Sequence, residues 1–140
     1  ATMKGILSLI ILLSVVANNV SAEILECRLL DDIKIGGLFA KYKNLKLRSN
    51  DGTVYEKGGT NIKNNTTLYL AVTKLGIEKA WLANEPIRQE GLEYYPMTIT
   101  VDFHNGMSRE TELVCFDAIK ANKHRRSIGE EPTPITVPDF

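Results

Sequence analysis

The chain is poor in the residues that usually announce chemistry. Its 140 positions hold two cysteines, two histidines and one tryptophan, and 17 basic residues cancel 17 acidic ones. With only His104 and His124 available, a histidine-rich zinc site is excluded, and no cysteine, histidine or carboxylate group has the spacing of a metal cluster. The balanced charge supplies no field to concentrate nucleic acid or to draw the chain onto anionic lipid. A zinc-protease helix, a nucleophile elbow and a glycine-rich phosphate loop are all missing. The acidic pairs Asp31-Asp32 and Glu130-Glu131 are neighbours in sequence and do not form an acid and a base facing each other. The expectation is a non-enzyme with no catalytic residue, no metal and no cofactor.

Long apolar runs are also missing, with one exception. Ile6 to Ala17 is a nearly continuous apolar block, shorter than the roughly 20 residues a bilayer span takes. Lys4 precedes it, Asn18-Asn19 breaks it, and Val20-Ser21-Ala22 supplies the small residues a signal peptidase requires. Residues 1–22 therefore read as a secretory signal peptide. Ala1-Thr2 are read as non-native residues ahead of Met3, and the mature chain is expected to start at Glu23. The expected location is secreted or periplasmic, with no stable membrane span after leader removal.

In an exported chain, Cys27 and Cys115 read as a disulfide. The alternative is a reactive Cys115 served by His104, but nothing in the sequence places those two together. A bridge between such distant positions is worth roughly 4 kcal/mol in the chain-entropy model. It would also set the first and last core elements side by side.

Past the leader, apolar residues alternate with polar ones and turn residues punctuate them. Ile24 to Leu30, Leu38 to Arg48 and Thr66 to Thr73 have strand periodicity, and Ser49 to Gly52 is a strong turn ahead of Val54-Tyr55. Ile77 to Ala83 fits either a strand or a short helix. In the last hairpin, a two-residue turn at Asn105-Gly106 would set Val101 against Glu110 and Ile99 against Glu112 on the face due for burial. Shifting the register by one residue puts Ile99 opposite Leu113 and Val101 opposite Thr111, so a longer loop or a bulge is expected. The predicted fold is all-β or β-rich α+β. It is a single antiparallel barrel or sandwich of about six to eight strands, with room for one short helix. The β-rich domain is placed at 23–119. Asp117 to Lys123 has room for a helical turn or two, and residues 120–140, with Lys123-His124-Arg125-Arg126 and three prolines, read as a flexible basic tail.

Candidate surfaces follow from what the strands leave over. The interruption from Asn84 to Pro96 joins charges of both signs to aromatics, as interfaces do, and gives Glu85, Arg88, Glu90, Tyr94 and Tyr95 as binding candidates. Its plainer reading is a solvated connection with the tyrosines packed inward. Lys41, Lys43, Lys46, Arg48 and Lys57 form either a basic patch for an acidic partner or a charged edge that discourages strand aggregation. The run Lys123 to Arg126 resembles a dibasic processing site or a solvated linker. Small exported domains without catalytic groups commonly work by surface complementarity. The expected function is therefore a non-enzymatic binding protein with a protein partner, most concretely an inhibitor or immunity-type protein acting on a secreted or periplasmic hydrolase. A structural subunit of a surface assembly is the alternative, and an enzyme with an unrecognised site the second.

Overall fold

Among the described residues, nine strands follow one another and a helix comes after them. The computed structural model describes residues 23–30 and 35–135. The expected leader at 1–22, the Asp31-Asp32 pair and residues 136–140 of the expected tail lie outside the described residues. The strands are β1 (Glu23–Leu29), β2 (Ile35–Tyr42), β3 (Lys46–Ser49), β4 (Val54–Asn61) and β5 (Thr66–Val72). Then come β6 (Gly76–Ala83), β7 (Ile87–Gln89), β8 (Leu92–Phe103), β9 (Ser108–Asp117) and helix α1 (Ala118–Ser127).

All pairings are antiparallel, and β1 to β6 pair in chain order. β6 then pairs with β8, β8 with β9, and β9 returns to β1, which closes an eight-stranded barrel. Short β7 adds only to the start of β8. Closure leaves no open edge in the main sheet, which removes the usual route to strand-to-strand association.

Cys27 and Cys115 face each other across the β1–β9 seam and are joined by a disulfide spanning 88 residues. Both are fully buried, so Cys115 is no nucleophile. The bridge couples the strands that begin and end the barrel, as the sequence led one to expect, and fits an oxidising compartment.

Strand alternation fills the interior. Leu25, Phe39, Leu47, Tyr69, Leu82 and Met97 converge there, all at least 94% buried. Eight strands enclose a space that side chains can fill. Ile77 to Ala83, ambiguous in sequence, is strand because Ala80 and Leu82 turn into this core between β5 and β8.

Two details differ from the sequence reading. The last hairpin avoids the tight turn, but its register moves the opposite way from the one expected. Met97 pairs with Leu113, Ile99 with Thr111 and Val101 with Arg109. The loop is His104-Asn105-Gly106, with Gly106 at φ 89° and the Phe103 N–H donating to the Met107 carbonyl at 2.8 Å. This register still keeps Met97 and Leu113 inside. The mismatch falls at the far end, where the Arg109 guanidinium sits 6.0 Å from the centre of the Phe103 ring.

The second difference is α1, which runs through the boundary placed at 120. Asp117 caps it, accepting from the Ile119 and Lys120 N–H groups at 3.0 and 3.1 Å. His124, Arg125 and Arg126 end it, favourable against the helix dipole, and Gly129 at φ 81° follows. The basic run read as a linker is thus the last turn of a helix. Beyond it, Asn122 donates to the Thr133 carbonyl and accepts from its N–H, both at 2.8 Å, which holds the chain after the helix against it. Composition alone misses this, because the contacts that hold the segment are polar and distant in sequence.

Candidate functional site

All strand ends that neighbour Glu23 and Asp117 lie at one end of the barrel, here called the mouth. The turns at 43–45 and 62–65 and the connection 84–91 rim it. The opposite end, the floor, carries the turns at 50–53, 73–75 and 104–107. The two ends differ in their polar chemistry.

At the floor, Tyr55 and Asp51 both have hydrogen-bond partners. The Tyr55 hydroxyl donates to Glu78 Oε1 at 2.8 Å. Burial, and then the Glu78 carboxylate, push the Tyr55 phenol far above its usual range. Asp51 accepts from the Ser49 hydroxyl and from the Thr53 N–H, and these bonds hold its carboxyl below the usual value.

The mouth holds a cavity of about 430 Å³. Lys41 and Lys57 reach it from the inward faces of β2 and β4, and Lys43 from the β2–β3 turn. Thr60, Thr67 and Asn84 supply hydroxyl and amide groups, with Thr67 donating to Asn84 Oδ1 at 2.6 Å. Lys41 lies 3.8 Å from Glu23, while among the described residues neither Lys43 nor Lys57 has a carboxylate within ion-pair reach. Tyr69 stands across from Lys57 and is fully buried, and its hydroxyl has no hydrogen-bond partner among the described residues. Burial, and then the Glu23 carboxylate, push its phenol up to about 12.

A second concavity, of about 660 Å³, lies outside the barrel between α1 and the β7–β8 hairpin. Leu92, Tyr95, Phe116, Ala121 and Ile128 line it with apolar surface, and Leu92 and Ile128 are more than half exposed. Beneath the helix, Glu26 is buried to 1% exposure and accepts from Arg125 (2.5 and 2.8 Å) and Arg28 (2.7 and 3.1 Å). Burial alone would raise the Glu26 carboxyl, but the two guanidinium groups outweigh it and hold the carboxyl below its usual value. This cluster fixes α1 on the outer face of β1 and so forms one wall of the groove.

The segment from Asn84 to Pro96 is not an open loop. Ile87, Arg88 and Gln89 pair with Tyr94, Glu93 and Leu92 around a two-residue turn, Glu90-Gly91, at φ 51° and 81°. Such turns need both central residues at positive φ, and the Glu-Gly pair is an unusual way to meet that need. Of the five binding candidates, Tyr95 lines the groove, and burial together with the carboxylates of Glu23, Glu93 and Asp117 raises its phenol. Tyr94 contacts the groove residue Phe116, with ring centres 6.3 Å apart. Arg88 pairs with Glu93 at 2.7 Å, and Lys120 reaches the same carboxylate at 3.9 Å. Glu85 instead accepts from Asn65 at 2.9 Å on the mouth rim, and Glu90 occupies the hairpin turn. The candidates are therefore divided between the two concavities.

Sequence reasoning missed the α1 wall, because His124, Arg125 and Ile128 fell in the presumed tail. It did find Lys41, Lys43 and Lys57, but grouped them with Lys46 and Arg48, which alternate to the other face of β3 from inward Leu47. Among the described residues, no cluster of three His, Cys, Asp or Glu side chains is placed to hold a metal ion. No described helix is long and apolar enough to cross a membrane. Compared with known protein families, curated proteins and solved structures, the chain matches none of them.

Proposed function

We propose that this protein is an exported, non-enzymatic binding protein that takes a segment of a partner protein into the groove between α1 and the β7–β8 hairpin. The observation that carries the reading is the groove itself: exposed Leu92 and Ile128 flank a floor containing Tyr95 and Phe116, with charges of both signs around it. Apolar centres with mixed polar rims are how protein interfaces are built, and tyrosine is a frequent anchor in them. The wall held by Glu26 and the Asp117 cap is fixed before binding, which lowers the ordering cost of association. An inhibitor of a secreted hydrolase is the most concrete form of this reading. It would act by covering the enzyme with the hairpin rather than by any chemistry of its own.

The test begins with a partner recovered by the wild-type protein from the native extracellular or envelope fraction and then purified. Leu92→Asp, at an exposed position, should fold normally and weaken that complex at least tenfold, equivalent to about 1.4 kcal/mol. Val72→Asp, on an exposed β5 position across the barrel, should leave affinity unchanged. The opposite pattern would move the interface to the β5 side and end this proposal. A recovered partner consisting only of further copies of the chain would favour the structural-subunit alternative.

A further inference from the structure

The mouth cavity is separate from the groove and has a different chemistry. Its cations exceed its anions: Lys41, Lys43 and Lys57 line it against the single carboxylate of Glu23. The three ammonium groups share the lining with the hydroxyls of Thr60 and Thr67 and the amide of Asn84, so the cavity is rich in donors.

The occupant is constrained by size as well as charge. Below the mouth the barrel is filled by Leu25, Leu47, Leu82 and Met97, so no long apolar chain can pass down it. The cavity of about 430 Å³ is larger than one phosphate group and falls in the range of small-ligand sites. Lysine ammonium groups are common phosphate binders, acting as point charges. Thr60 and Asn84 offer neutral polar contacts for the rest of such a molecule.

We propose that the barrel mouth is a binding site for a compact organic phosphate, a phosphate monoester of a small polyhydroxylated molecule. The phosphate sits among Lys41, Lys43 and Lys57, and Thr60 and Asn84 face the rest of the ligand.

The experiment is calorimetric titration of the full-length mature protein with glycerol 3-phosphate at low ionic strength. Saturable one-to-one binding that inorganic phosphate competes away is expected, with succinate at least tenfold weaker. Lys43→Ala and Lys57→Ala should each weaken binding at least fivefold. Lys74→Ala, an exposed lysine in a floor turn, should have no effect. Glu23→Gln removes the opposing carboxylate and should tighten binding, a direction that a purely structural role would not produce. No saturable binding, equal losses from Lys74→Ala and Lys57→Ala, or succinate binding as tightly as the phosphate would each overturn the proposal.

Discussion

Tyr55 near the floor and Tyr69 beneath the mouth both project into the barrel, yet among the described residues only the Tyr55 hydroxyl of the two has a hydrogen-bond partner. The same contrast extends to the surrounding charges. Asp51 and Glu78 at the floor each accept hydrogen bonds, whereas Lys43 and Lys57 at the mouth have no ion-pair partner among the described residues. Folding explains the Tyr55–Glu78 pair, because it closes that side of the barrel with the hydroxyl and the carboxylate matched. Folding does not explain three lysines around one carboxylate at the mouth, where apolar or paired residues would cost less. A surplus of cations lining one cavity is what a site for an anion requires.

The largest perturbation tests whether the two ends belong to one cooperative unit. The Cys27–Cys115 bridge ties the seam strands that run from mouth to floor, and it encloses almost the whole barrel. Cys115→Ala should cost about 2–5 kcal/mol in denaturant unfolding. Both ends should melt together, which can be followed by Trp81 fluorescence and by exchange of amides on β3 and β8. If the floor amides survive after the mouth amides have exchanged, the two ends are independent units, and the comparison must be made between subdomains.

A smaller effect shows that cations at the mouth end can be matched where structure requires it. Outside the barrel, Arg28 and Arg125 are both satisfied by Glu26. Glu26→Gln should cost about 2–3 kcal/mol, because two guanidinium groups lose their counter-charge in a partly buried site. The pH dependence follows from the lowered carboxyl. Above the ordinary value of 4.5 the stabilisation is complete, and it is lost as pH falls through the lower folded-state value. In the wild type, stability should therefore fall on acidification below that point, and Glu26→Gln should flatten this limb. Equal acid slopes in the two proteins would show that Glu26 is not the group that pins α1.

How much of this was legible in the sequence depends on whether a feature is local. The β periodicity and the pairing of the two cysteines follow from residue type and spacing, whereas the strand at 66–72 has two apolar faces and only the barrel shows that Tyr69 and Ala71 are the buried ones. The closing register of β8 on β9 was not legible, because the choice rests on a three-residue loop and on Arg109 finding the Phe103 ring. Of α1 only a turn or two after Asp117 was legible; its full length and its hold on the barrel, a contact between positions 26 and 125, were not. The mouth was half legible. Its lysines stood out as a cluster, but only the bulge in β4 between Lys57 and Gly59 and the closed barrel show which of them face inward together.

The smallest expected effect separates the two ends most sharply. Tyr55→Phe removes a donor from the Glu78 carboxylate and should cost about 1–2 kcal/mol, the lower part of the range for bonds to charged groups because Glu78 is only partly buried. Tyr69→Phe deletes a hydroxyl that has no hydrogen-bond partner among the described residues, while its ring keeps the same packing against the core. Its stability should lie within about 0.5 kcal/mol of wild type or slightly above it, since the cost of desolvating the hydroxyl goes with it. Neither variant should weaken glycerol 3-phosphate binding as Lys57→Ala does, because neither tyrosine lines the cavity. Paired denaturant midpoints and titrations on the two variants check both halves of the statement. If Tyr69→Phe proves as destabilising as Tyr55→Phe, the Tyr69 hydroxyl has a structural role after all, and the asymmetry between mouth and floor loses its strongest support. If Tyr69→Phe leaves stability untouched, folding does not use that hydroxyl, in contrast to the one that Tyr55 gives to Glu78.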